Sequence, residues 1–164
     1  MKQKYLILFS LSGLIICLDQ LTKFLSHSRL VEGTESNGLG SWLVFTQIRN
    51  NGFAFRMLEK LPASIQDVFF IAVPVFALVL IILIFIKLQD NQMLTGVALT
   101  TILAGALGNM VDRIQHGYVV DVVRFQLGAY RSAPFNIADI SIVVGVILMI
   151  FNTLIQHRQE RASL

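Results

Sequence analysis

Three stretches of about 19 residues, Val68 to Ile86, Met93 to Val111 and Ile137 to Ile155, are nearly free of charge. Each is long enough to cross a hydrocarbon core of roughly 30 Å, and each is read as a transmembrane helix. The composition agrees: 55% of the 164 residues are hydrophobic and only 14% charged. With a mean hydropathy of +0.70 the chain lies well outside the soluble globular range. The reading is a single membrane-embedded domain over residues 1–164.

A fourth apolar run, Tyr5 to Leu18, follows Lys2 and Lys4 and competes with a cleavable signal peptide. No small-residue pair suited to cleavage follows it, because Ile15, Ile16, Cys17, Leu18, Asp19 and Gln20 fill that stretch. The run is therefore expected to be an uncleaved helix reaching about Phe24. The expected spans are 5–24, 68–86, 93–111 and 137–155.

Four spans put both termini on one side, and basic residues favour the cytoplasm. Lys2, Lys4, Lys87, Arg158 and Arg161 sit in short tails and one short loop; the other eight Lys and Arg are spread over long segments. Density therefore assigns both termini to the cytoplasm, and the basic balance reflects orientation rather than nucleic-acid binding. The single cysteine, Cys17, excludes an intramolecular disulfide and is expected to be buried packing. His27, His116 and His157 are scattered and form no metal-ligand grouping.

The inner loop, Leu88 to Gln92, is only a connection, so function belongs on the outer face. There, after the turn-rich stretch Glu32 to Gly40, Ser41 to Arg49 is rich in aromatic and β-branched residues and predicts a strand. Asn50, Asn51 and Gly52 signal a turn. Phe53 to Leu58 is a short apolar stretch carrying Arg56, suited to lying in the membrane interface rather than crossing it and to lidding a site. Pro74 predicts a kink in the second span, tolerated where neighbours satisfy the freed carbonyl.

The polar residues at the helix ends carry the chemistry. The third span ends in AGALGNMVDR, where Ala104 and Gly108 have the spacing that lets helices approach closely. Asn109, Asp112 and Arg113 follow at helical spacing, and the plainest reading is an interfacial salt bridge. Asp121 lies among β-branched residues in GYVVDVVRF, and Asn136 and Asp139 open the fourth span in PFNIADIS. Acids within membrane segments cost roughly 2.5 to 3.5 kcal/mol each on insertion scales, and so are functional suspects.

Two carboxylates about 4 Å apart at an effective dielectric of about 20 repel by roughly 4 kcal/mol, or about three pKa units. Such a pair holds one proton between its members across neutral pH and titrates as a unit. The ionised member then takes a proton from an attacking water while the protonated member hydrogen-bonds a scissile carbonyl. Spacing alone leaves open whether Asp121 and Asp139 meet.

Taken in series, LDQLTK, RNNGFAF, AGALGNMVDR, GYVVDVV and PFNIADISIVVG resemble, in order and spacing, lipoprotein signal peptidase, also called signal peptidase II. The resemblance covers nearly the whole chain. It implies a bacterial inner-membrane aspartic endopeptidase that removes the signal peptide of prolipoproteins on the N-terminal side of a diacylglyceryl-modified cysteine. The family's catalytic aspartates fall on Asp121 and Asp139. Asn136 resembles a supporting amide, Asn50 and Gly52 match an Asn-x-Gly motif, and Asn109, Asp112 and Arg113 match GNxxDR, with Arg113 holding substrate backbone. Asp19 and Lys23 match the DQxxK motif of the first helix; beside a site-shaping role stands a simple helix-end ion pair.

The implied fold is an all-α integral membrane protein: four transmembrane helices with a small extramembrane β-rich cradle and a short interfacial helix on the outer face. The active site lies near the outer leaflet. The implied partners are diacylglyceryl-modified prolipoproteins and membrane lipids, with no nucleic acid, no metal and no cofactor, and the protein is expected to be monomeric. Two other readings compete: a small proton-coupled transporter with the aspartates as protonation sites, and a noncatalytic helical scaffold.

Overall fold

The computed structural model describes residues 3–38, 40, 42–51 and 62–162. Four long helices, α1 (Gln3–Arg29), α2 (Ala63–Lys87), α3 (Met93–His116) and α4 (Ile137–Ala162), are each long and apolar enough to cross a membrane. Four strands, β1 (Glu35–Asn37), β2 (Leu43–Asn50), β3 (Val119–Leu127) and β4 (Tyr130–Arg131), form one antiparallel sheet in sequence order. Every helix runs past its expected end, because helical hydrogen bonding continues through polar residues that end an apolar run. α2 continues through Pro74. Gly52 and the expected interfacial helix over Phe53 to Leu58 lie outside the described residues.

The third helix is the centre of the bundle: 61% of its apolar window is buried, against 6, 11 and 17% in α1, α2 and α4. The other three turn large side chains outward, among them Phe9, Phe76 and Ile147. Lipid is as apolar as Leu, so outward faces carry no penalty and close approach depends on small residues. Gly105 and Gly145 supply it between α3 and α4, since a Cβ at either would run into the facing helix.

In α1 the usual polarity is reversed, because its buried residues are all charged: Lys4, Asp19 and Lys23. Lys4 Nζ donates to Ile86 O (3.0 Å) and Leu88 O (2.6 Å), satisfying carbonyls at the end of α2. Cys17 corrects the packing expectation: it is exposed, on an α1 surface that has no need to bury a thiol.

The sheet joins the ends of α1, α3 and α4. Gly117, at φ 78°, takes the left-handed conformation that ends α3, and its N–H donates to Arg113 O (3.0 Å). The chain turns there directly into β3, whose β-branched residues suit a half-buried strand. Phe135 pairs with Val123 across the other edge of β3, which brings the start of α4 beside Asp121.

Candidate active site

Asp121, from near the start of β3, and Asp139, from the first turn of α4, are joined through Asn136. The Asn136 Nδ2 group donates to Asp121 Oδ1 (3.0 Å), and Asn136 N donates to Asp139 Oδ2 (3.2 Å). Asn136 is also the N-cap of α4: its Oδ1 accepts Asp139 N–H (2.8 Å), so the two residues form a reciprocal capping box. The local sequence thus starts the helix and sets both side chains by the same hydrogen bonds.

Asp121 is fully buried. Its Oδ2 accepts from Asn50 Nδ2 (2.9 Å), at the end of β2. Burial first, then the neighbouring charge of Asp139, pushes its pKa from 3.8 up to about 7; hydrogen bonds from Asn50 and Asn136 and the charge of Lys23 oppose the rise. Asp139 Oδ1 accepts from Asn109 Nδ2 (2.8 Å) on α3, and Asn109 Oδ1 accepts from Asn136 Nδ2 (3.2 Å).

Behind these amides lies a buried ionic cluster. Lys23 Nζ is 2.7 Å from Asp19 Oδ2 and 2.7 Å from Asp112 Oδ2. Asp112 therefore pairs with a lysine from another helix, not with its sequence neighbour Arg113. Asp112 Oδ2 also accepts Val120 N–H (3.0 Å), tying α3 to β3, and Asp19 Oδ1 accepts Ala138 N–H (2.9 Å), tying α1 to the first turn of α4. Arg113 donates from Nη1 to Asn109 O (3.1 Å), and its guanidinium carbon is 4.7 Å from the centroid of the Phe70 ring.

The structure brings Asp19, Lys23, Asn50, Asn109, Asp112, Arg113, Asp121, Asn136 and Asp139 into one connected region. Gly52 is not among the described residues. Two participants were not among the expected site residues. Gln20 donates to Asp112 Oδ1 (2.9 Å), and its place beside Asp19 in the DQ pair was the available signal. Gly108 leaves room for the Asp19 carboxylate, since a Cβ there would lie 2.8 Å from Asp19 Oδ2. Among the described residues no three His, Cys, Asp or Glu side chains converge as metal ligands.

Chemically, the region offers two linked carboxylates, one holding a proton near neutral pH, and a partly buried guanidinium alongside. That is the equipment for general acid and base work on a carbonyl.

Residues 11–155 match the family model for signal peptidase (SPase) II. The chain is 36% identical over 161 residues to the lipoprotein signal peptidase of Syntrophus aciditrophicus, covering 98% of this chain and 99% of the relative. It is 35% identical over 147 residues to that of Listeria monocytogenes, covering 90 and 92%. Among solved structures, a bacterial membrane enzyme determined by the in meso method at 1.9 Å superposes with a TM-score of 0.79 at 32% identity, covering 92% of each chain.

Proposed function

The chain belongs to the signal peptidase II family, and from that premise we propose that it is an aspartic endopeptidase that cleaves signal peptides from diacylglyceryl-modified prolipoproteins. Cleavage falls on the N-terminal side of the lipidated cysteine. The observation that carries the aspartic reading is the Asn136 bridge between Asp121 and Asp139, together with the high pKa of Asp121.

In this reading Asp121 carries the shared proton and Asp139 is the base. Asp139 takes a proton from the attacking water as its oxygen bonds to the scissile carbonyl carbon. Asp121 hydrogen-bonds the carbonyl oxygen, where negative charge develops. A proton then passes to the leaving amine as the C–N bond breaks. Asn50, Asn109 and Asn136 hold the carboxylates; Asp19, Lys23 and Asp112 hold the elements that carry them. Arg113 is placed to bind substrate backbone, and Gly52, outside the described residues, is assigned to the site by its Asn-x-Gly motif alone.

The protein acts as a single multi-pass domain over residues 1–164, as a monomer in the bacterial inner membrane. Both termini are cytoplasmic, and the site lies near the outer leaflet. The sheet serves as an extramembrane cradle. A substrate anchored by acyl chains then stays in the bilayer while its cleavage point meets a polar site. Transport and scaffolding gain no support from relatives named for peptidase activity.

The test is incubation of purified protein with a diacylglyceryl-modified prolipoprotein, following release of the signal peptide. Asp121→Asn and Asp139→Asn should each lower the rate by at least about 10²-fold, the scale of a lost acid or base. An inactive wild type, or Asn variants that retain the wild-type rate, refutes the reading.

A further inference from the structure

The ladder between β2 and β3 changes step at one place. Leu43, Val44 and Phe45 stand across from Phe125, Arg124 and Val123, whereas Ile48, Arg49 and Asn50 stand across from Asp121, Val120 and Val119. Thr46 and Gln47 therefore share the single partner Val122, which is a β-bulge.

Side chains alternate between the two faces of a strand, so this extra residue decides which part of β2 accompanies Asp121. With the bulge, the face holds Ile48 and Asn50, and Asn50 reaches the Asp121 carboxylate at 2.9 Å. If the first register ran on unbroken, Gln47 would stand across from Asp121 and Arg49 would take the place of Asn50 across from Val119. A guanidinium there would favour the ionised form of Asp121 and remove the proton the pair needs to share. As folded, Arg49 lies on the other face, with Nη2 2.6 Å from Glu32 Oε2 and its guanidinium carbon 4.7 Å from the centroid of the Tyr118 ring.

The bulge is fastened from outside the β2–β3 pair, and both its residues are buried. Thr46 O accepts from Ser26 Oγ in the last turn of α1 (3.0 Å), and Thr46 Oγ1 donates to Thr34 O (3.3 Å). Gln47 O accepts Gly33 N–H (2.8 Å), and Gln47 Nε2 lies 2.8 Å from His27 Nδ1.

We propose that the Thr46–Gln47 bulge, clamped by Ser26 and His27 of α1, is a register lock that sets Asn50 rather than Arg49 beside Asp121. Ser26 and Gln47 are then positioning residues. The inference rests on the proposed catalytic role of Asp121. The charged groups that act on Asp121 in the native register are Asp139 of α4 and Lys23 of α1; the lock keeps Arg49 from joining them.

The test compares three proteins with the same lipidated substrate from about pH 5 to about pH 9. The first is the wild type. The second, Ser26→Ala with Gln47→Leu, removes the Ser26 hydroxyl and the Gln47 amide that reaches His27 but keeps the residue count, so α1 loses its hold on the bulge and β2 can slip. The third, Ser26→Ala with Gln47 deleted, has no extra residue, and an unbroken ladder keeps Ile48 across from Asp121.

The slipping variant should lose kcat by about tenfold or more with KM within about threefold, and its pH profile should lose the ionisation near neutrality. Adding Arg49→Gln to that variant should bring the ionisation back. The deletion variant should recover to within about threefold of wild-type kcat. The lock is refuted if the slipping variant keeps the wild-type kcat and pH profile. It is equally refuted if activity falls with an unchanged profile and the deletion does not restore it, the pattern of simple structural damage. A wild type that does not cleave refutes the functional reading itself.

Discussion

Replacing Asp121 by asparagine should stabilise the protein above neutral pH while leaving its stability in acid almost unchanged. In the native chain the Asp121 pKa is about 7, against an ordinary 3.8, with burial the larger cause and the Asp139 charge the second. Between these values the folded protein keeps a proton that the unfolded chain has already released. The native state then binds more protons than the unfolded one, so stability falls as pH rises through the window. Below the unfolded pKa both states are protonated and nothing is lost. Above about 7 both are ionised and the loss is complete, at about 4 kcal/mol from the separation of the two values.

An asparagine has no proton to lose, so the gap between variant and wild type should open from about pH 4 and level off just above 7, reaching roughly 10 °C in Tm on the scaling of domains of this size. Thermal unfolding of the detergent-solubilised protein at a series of pH values reads it directly. Asp139→Asn is the companion measurement. It removes the second cause of the rise, so the wild-type loss of stability should end at a lower pH. A gap that is constant with pH, or one that closes rather than opens as pH rises, refutes a buried, neutral Asp121.

Two further substitutions probe the support behind the pair. Lys23→Met leaves Asp19 and Asp112 buried without their shared cation, and should cost about 3–5 kcal/mol in unfolding at neutral pH. An unfolding free energy equal to that of the wild type would mean that the two carboxylates do not depend on the cation. Gly108→Ala places a methyl group 2.8 Å from Asp19 Oδ2 and should cost about 1–3 kcal/mol, seen as a lower Tm. A variant with wild-type Tm would show that Asp19 has room to move.

The helices were legible because a span is announced by the length of its apolar run, and the aspartates because an acid at the end of such a run is conspicuous. Helix ends were less legible: α3 extends to His116 and carries Asp112 and Arg113 with it, since hydrogen bonding rather than hydropathy decides where a helix stops. β2 was visible as a β-branched and aromatic stretch, but β4, two residues long, offers no period to read. The ion pairing was hidden for a different reason. Asp112 and Arg113 are neighbours in sequence, yet side chains one residue apart on a helix do not face each other, and the partner of Asp112 comes from α1. The bulge was hidden too, because Thr46 and Gln47 read as ordinary strand positions until their partner on β3 is known.

What the first helix contributes follows from its inward face. A spanning helix gains little by burying Leu or Cys against other helices, because lipid accepts them equally well. The residues it does bury therefore mark its role, and in α1 these are Lys4 at one end and Asp19 with Lys23 toward the other. Lys4 closes the end of α2, while Asp19 accepts the Ala138 N–H in the first turn of α4 and Lys23 joins Asp19 to Asp112 on α3. One turn beyond Lys23, Ser26 and His27 hold the bulge that sets Asn50. One face of α1 thus fixes both strands of the problem: the helix that carries Asp139 and the strand that supplies a partner to Asp121.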